Sequence, residues 1–245
     1  MESDPVIVKG LQKSFGEQRV LKGVDLSVGK SEILTVLGKS GTGKSVLLRL
    51  MIGLEKPDSG SILINGQEVS NLETGPLNEV RKKIGFLFQE AALYDSLTIA
   101  DNVGFPLKRN AKLSDAERTD KVHQLLASVG LDKDLEKMPS DISGGMRKRV
   151  GLARALALDP EIILFDEPTA GLDPITAAEI GKLIVKLRDE RHTTSIVVTH
   201  DLHAAHHFSD RLVMLKEGNV LIAGTFSDLE NSKDPFVVQY LSDAA

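Results

Sequence analysis

The sequence predicts an α/β fold: a mostly parallel sheet, an antiparallel β region ahead of it, and a helical lobe inserted between its strands. Three observations carry that prediction. Apolar runs at Ile33–Leu37 (interrupted only by Thr35), Ile162–Phe165 and Ile196–Val198 have the character of parallel strands buried on both faces. Short alternating runs between Val6 and Val28, broken by Gly16, Gly23 and Gly29, read as antiparallel strands. From Glu90 to about Pro139 the apolar spacing becomes helical. The boundaries follow: about 1–89 and 158–224 make the sheet core with its antiparallel region, about 90–157 the helical lobe, and 225–245 a tail, all in one domain.

Taken in order, the first informative residue is Phe15, in a loop-like Ser14-Phe15-Gly16. Its ring could stack on a nucleobase, and the alternative is an ordinary core phenylalanine. The strand Ile33–Leu37 then runs into Gly38-Lys39-Ser40-Gly41-Thr42-Gly43-Lys44-Ser45, and Val46–Leu50 reads as a helix. This is the phosphate-loop (P-loop) pattern in the context it requires. A glycine-rich turn opening a helix presents bare N–H groups at the positive end of the helix dipole, which suits phosphate. Gly38, Ser40, Gly41 and Gly43 form that cradle, Lys44 reaches the β- and γ-phosphates, and the Ser45 hydroxyl goes to Mg²⁺. The chain therefore binds a nucleoside triphosphate, ATP being the expected one.

Pro57–Gly60 and Asn65-Gly66 are turns around the strand Ser61–Ile64. Arg81-Lys82-Lys83 reads as a solvated charge run leading into the strand Ile84–Phe88, which ends on Gln89. Ser114 or Asp115 caps a helix whose apolar face is Val122, Leu125, Leu126 and Val129. Ser143-Gly144-Gly145 opens another helix, which is either a second anion-binding N-terminus or simply a capped helix start.

The strand that ends on Asp166 and Glu167 should emerge at the same edge as the P-loop. Neighbouring strand residues point to opposite sides, so Asp166 is assigned to the Mg²⁺ shell through water and Glu167 to polarising the attacking water. Asp173 lies in a tight turn before the helix Ile175–Glu190. The strand Ser195–Thr199 delivers His200 to the same edge, as a phosphate contact. His203, His206 and His207 read as the polar face of a short helix rather than a metal site. A hairpin follows at Arg211–Ile222, and the tail Asp234–Leu241 carries apolar residues that need a surface to cover.

Composition narrows the partners. With 245 residues, a net charge of -5 and a pI near 5.7, the chain has no overall basic field, so nucleic acid is not its default partner. It has no cysteine, which excludes disulfides and thiolate chemistry. No apolar stretch has the length of a membrane helix, so action at a membrane requires another polypeptide.

With the P-loop, Gln89, the Ser143-Gly144-Gly145 helix, Asp166-Glu167, Asp173 and His200 in this order, the chain resembles the nucleotide-binding subunit of ATP-binding-cassette (ABC) transporters from about 6 to 224. The resemblance implies a P-loop NTPase core of RecA-like type and ATP hydrolysis with Mg²⁺. It further implies that Phe15 stacks adenine, that Gln89 senses Mg²⁺ and the transmembrane partner, and that Glu167 is the base. Lys44 and His200 then hold the γ-phosphate, while Ser143, Gly144 and Gly145 close on ATP held by a second copy in a head-to-tail dimer with two ATP molecules. The segment from Glu90 to Pro106 would receive a permease helix. Two residues depart from the family pattern: Met146 stands where glutamine is usual, and Lys39 where proline is common. The wording around Ser143–Val150 and Pro168–Ile175 is similar to the branch serving Mce-type lipid transporters, such as the Mla phospholipid system. That branch implies Mce-domain and small accessory subunits, and a peripheral location on the cytoplasmic face of the inner membrane. A transporter for another substrate, a soluble cassette protein acting on nucleic acid or ribosomes, and a kinase are the alternatives.

Overall fold

The computed structural model describes residues 4–243. In chain order, β1 (Val6–Phe15) and β2 (Gln18–Val28) precede β3 (Ile33–Leu37), α1 (Lys44–Met51), β4 (Ser59–Ile64) and β5 (Gln67–Glu68). Next come α2 (Thr74–Lys82), β6 (Ile84–Leu87), α3 (Ile99–Asn110), α4 (Asp115–Ser128) and α5 (Gly144–Ala155). The chain continues through β7 (Ile162–Asp166), α6 (Pro174–Arg191), β8 (Thr194–Thr199), α7 (Leu202–Phe208), β9 (Arg211–Lys216) and β10 (Asn219–Gly224). Two short helices, α8 (Phe226–Glu230) and α9 (Pro235–Asp243), complete it.

The strands form two sheets. An antiparallel one runs β2-β1-β4-β5, and a six-stranded one runs β10-β9-β3-β8-β7-β6, parallel except for β10. Period-two alternation splits the larger sheet between two cores. Ile33, Leu37, Ile163, Phe165, Val197 and Met214 face the core shared with α3 to α6. Leu34, Val36, Ile162, Leu164, Ile196 and Val198 face the core shared with α1 and the antiparallel sheet. The register sets Leu37 beside Thr199, Asp166 beside Val198, and Leu87 beside Phe165. Four strand ends are thereby levelled at one carboxyl edge.

Local chemistry accounts for the helix boundaries. Ser114 caps α4 in a reciprocal box with Glu117. Asp173 caps α6 through the amides of Ile175 and Thr176, with Pro174 at the first helical position. Helix α2 is not predicted from the sequence, because only Leu77 and Val80 of its nine residues are buried. It alters the reading of Arg81. Instead of belonging to a solvated charge run, Arg81 donates from Nε to the Ile52 carbonyl (2.9 Å) and from Nη2 to that of Gly53 (3.1 Å). It covers acceptors left open at the end of α1. The apolar residues of the tail find their surface within the chain, since Val237 and Tyr240 of α9 are buried in its own core.

Candidate nucleotide site at the carboxyl edge of the sheet

Between β3 and α1 the P-loop turns back on itself in a way that two glycines make feasible. Gly43 sits at φ 101°, and a Cβ there would stand 2.6 Å from Leu21 Cδ2. At Gly38 a Cβ would lie 2.7 Å from the Leu215 carbonyl oxygen. The loop is thus wedged between β2 and β9, and a side chain at either position would push it out. Ser40 and Gly41 are exposed at its crest.

The side chains beneath this loop are tied together. Lys44 is buried, donates to the Gly38 carbonyl at 2.8 Å, and lies 3.5 Å from Glu167 Oε1. Burial pushes its pKa down, against the pull of the Glu167 and Asp166 charges. Ser45 Oγ donates to Asp166 Oδ1 at 2.7 Å. Burial raises the Asp166 pKa, the Ser45 hydrogen bond opposes this, and the Glu167 charge adds to it. Glu167 Oε2 contacts His200 Nδ1 at 3.0 Å and the His200 amide at 3.3 Å. Lys44, Ser45, Asp166, Glu167 and His200 therefore form one contiguous cluster. Glu167 is held at φ 48°, a left-handed conformation that costs a non-glycine residue roughly 1–2 kcal/mol.

Phe15 lies at the tip of the β1–β2 hairpin, two pairs beyond Leu21, the residue that packs on Gly43. It is half exposed, with Lys13 over its ring. Gln89 follows β6 as an exposed turn residue at the same edge. The other assigned residues lie apart from this cluster. Ser143 caps α5 by accepting from the Met146 amide at 3.2 Å, so Met146 contributes the amide that any residue would. Gly144 and Gly145 pack toward Leu172 and Thr176, and no described contact joins residues 143–145 to residues 38–45. Asp173 uses its carboxylate as the α6 cap and is exposed; hydrogen bonds from Thr176 hold its pKa below the ordinary aspartate range.

Several residues that organise the site are absent from the sequence reading. Lys148 on α5 is buried and donates to the backbone carbonyls of both Gln89 and Glu167, the latter at 2.9 Å. Arg154, two turns on, donates to the carbonyls of Ala91 and Ala92, which sit at φ 57° and 48°. Asn102, fully buried, stitches the loop before α3 by accepting from the Tyr94 amide (2.8 Å) and donating to the Tyr94, Leu97 and Thr98 carbonyls. The signal for Lys148 is helical phase: it falls in register with buried Gly145 and Leu152 on α5.

Residues 21–170 match the sequence profile of the ABC transporter family. The chain belongs to that family. Family members bind ATP with Mg²⁺ and hydrolyse it, pair as dimers, and serve transmembrane permease subunits as peripheral membrane proteins. Among the described residues no helix is long and apolar enough to cross a membrane. The chain is 44% identical over 235 residues to the probable ribonucleotide transport ATP-binding protein mkl of Mycobacterium leprae, covering 96% of this chain and 68% of that protein. It is 40% identical to protein TRIGALACTOSYLDIACYLGLYCEROL 3 of Arabidopsis thaliana, over 98% of this chain and 74% of that one. It is 39% identical to the sulfate/thiosulfate import ATP-binding protein CysA of Pectobacterium atrosepticum, over 97% and 72%. Among solved structures, the dimeric cassette MJ0796 in a post-hydrolysis state with ADP and Pi superposes with a TM-score of 0.83 at 36% identity, covering 90% of this chain and 98% of that one.

Proposed function

We propose that this ABC subunit drives phospholipid transport together with an Mce-type system, at the cytoplasmic face of the inner membrane. Glu167 accepts the proton of the attacking water as that water adds to the γ-phosphorus, the bond from the γ-phosphorus to the β–γ bridging oxygen breaks to release ADP and phosphate, and Lys44 and His200 hold the γ-phosphate. The observation that carries the catalytic assignment is the Lys44–Glu167–His200 cluster, with Glu167 buried between two groups that can bind phosphate. The pair of hard oxygens at Ser45 and Asp166, 2.7 Å apart, suits Mg²⁺, and Gln89 joins them from the end of β6. When bound, the metal neutralises charge on the transferring phosphate. Phe15 stacks the adenine, while Gly38, Ser40, Gly41 and Gly43 cradle the phosphates.

The second wall of each site comes from another copy, through Ser143, Gly144 and Gly145, with Asp173 capping the helix α6 whose start packs against Gly145. The separation of residues 143–145 from the P-loop within one chain supports this reading. The permease docks on the segment after Gln89, whose shape Asn102 fixes in advance. The lipid assignment rests on the wording at Ser143–Val150 and on a relative named for a glycerolipid.

The test is purification of the chain with its membrane partner and reconstitution between lipid vesicles. ATP-dependent phospholipid transfer is expected with the native chain. Glu167→Gln is expected to retain ATP and the closed dimer while turnover drops by about 10³-fold or more. Normal hydrolysis in that variant rejects the base assignment. ATP turnover that moves sulfate or an amino acid but no phospholipid rejects the lipid reading alone.

A further inference from the structure

Tyr240 lies 40 residues beyond His200, on α9, yet its hydroxyl donates to the His200 backbone carbonyl at 2.8 Å. The tyrosine is 6% exposed. Its helix is fastened at both ends. Lys39 stands 5.7 Å from the Phe236 ring centroid and 3.9 Å from Asp243 Oδ2, while Lys216 caps the same ring at 4.6 Å. Phe236 and Tyr240 thus bring the last helix against the P-loop on one side and the His200 turn on the other.

We propose that Tyr240 is a positioning residue for ATP hydrolysis, its hydroxyl tying the turn that carries His200 to α9, the helix that packs against Lys39 of the P-loop. The His200 amide and imidazole both contact Glu167, so a shift of the His200 backbone moves the base relative to the γ-phosphate. A hydroxyl bonded to the His200 carbonyl from a helix fastened in this way suppresses that shift. Burial, with a contribution from the Glu167 charge, pushes the tyrosine pKa up to about 12, so the group stays a donor throughout the physiological range. The same contacts give Lys39 a place: its ammonium faces α9, where the proline common in the family would offer no charge. The proposal rests on the reading of His200 as a γ-phosphate contact.

Wild type, Tyr240→Phe and His200→Ala are compared as full chains, in the complex with which they purify, for kcat and KM of ATP. Phenylalanine keeps the ring and removes one oxygen. The expected result is a nearly inactive His200→Ala, and a Tyr240→Phe with kcat down about tenfold, KM within about twofold and a melting temperature within about 2 °C. An inactive His200→Ala beside a Tyr240→Phe of normal kcat overturns the tyrosine proposal and leaves His200 standing. Normal turnover in His200→Ala overturns both. A merely structural tyrosine would lower the melting temperature and leave kcat intact, which also overturns it. The chain has no tryptophan and two tyrosines, so with Tyr94→Phe as background Tyr240 is the sole tyrosine emitter. Its fluorescence should change on addition of Mg·ATP, and an unchanged signal removes the tie to the P-loop.

Discussion

Asp166 and Glu167 show how one residue step divides labour at a strand end. Asp166 takes the Ser45 hydroxyl, whereas Glu167, turned into left-handed backbone, takes His200. Burial, with the neighbouring Glu167 charge, opposes the ionisation of Asp166. The direction of the Asp166 shift, upward, fixes the sign of its effect on stability: what it contributes is present at low pH and lost as pH rises through the raised pKa. In the chain without Mg·ATP, Asp166→Asn should therefore raise the melting temperature at neutral pH, with a gain that shrinks on acidification. Thermal melts at about pH 5 and 8 test this, and an asparagine variant that melts lower than wild type at neutral pH refutes it. Lys44→Ala should weaken ATP binding by about tenfold or more, since it removes the one buried cation under the P-loop crest. Unaltered affinity by calorimetry would remove Lys44 from the site.

At the scale of elements, α5 is the organising piece, because it faces two ways. Its N-terminus offers Ser143 outward, and its buried side holds the carbonyls of Gln89, Ala91, Ala92 and Glu167 through Lys148 and Arg154. Movement of α5 is therefore felt at both Glu167 and the loop after Gln89. Lys148→Met removes the side-chain donor to the Gln89 carbonyl and leaves the Glu167 carbonyl with the Ala170 amide alone, and a loss of stability of about 2 kcal/mol with a kcat reduced at least about tenfold is expected from denaturant titration and ATPase assay. Contact between α5 and α6 is equally close. A Cβ at position 145 would meet Thr176 Cγ2 at 2.6 Å, so Gly145→Ala should destabilise by about 1–3 kcal/mol. Adding Thr176→Ser removes that methyl, keeps the hydroxyl on Asp173 and should restore most of the loss; a non-additive cycle is the readout. The elements themselves were legible where chemistry is local. The P-loop, the Asp166-Glu167 strand end and the Ser114 cap follow from short patterns. Helix α2 was not, because two buried residues in nine leave no apolar periodicity; nor were the capping role of Arg81 and the Lys148 clamp, because each depends on a backbone carbonyl brought near by folding, and carbonyls leave no trace in residue identity.

For the whole molecule the proposed composite site makes the sharpest prediction. Mixing two inactive variants, Lys44→Ala and Ser143→Arg, should restore ATPase activity, because the mixed pair contains one intact composite site and one doubly damaged site. If each chain held a complete site, mixing would restore nothing. The family and its parallel core could be read from the linear order of motifs, whereas the docking of α9 could not, since its contacts with Lys39 and His200 span some 200 and 40 residues of sequence. The sharing of one sheet between two cores has a consequence for how such a chain can change in length. Deleting a single residue within Ile162–Phe165 would hand every following side chain of that strand to the opposite core, exchanging Phe165 for its neighbours against α1 and exposing Asp166 to the helical side. Insertions and deletions should therefore be tolerated in the loops at 54–57 and 131–134 and lethal inside the central strands, a pattern that a library of single-codon deletions would print directly onto the sheet.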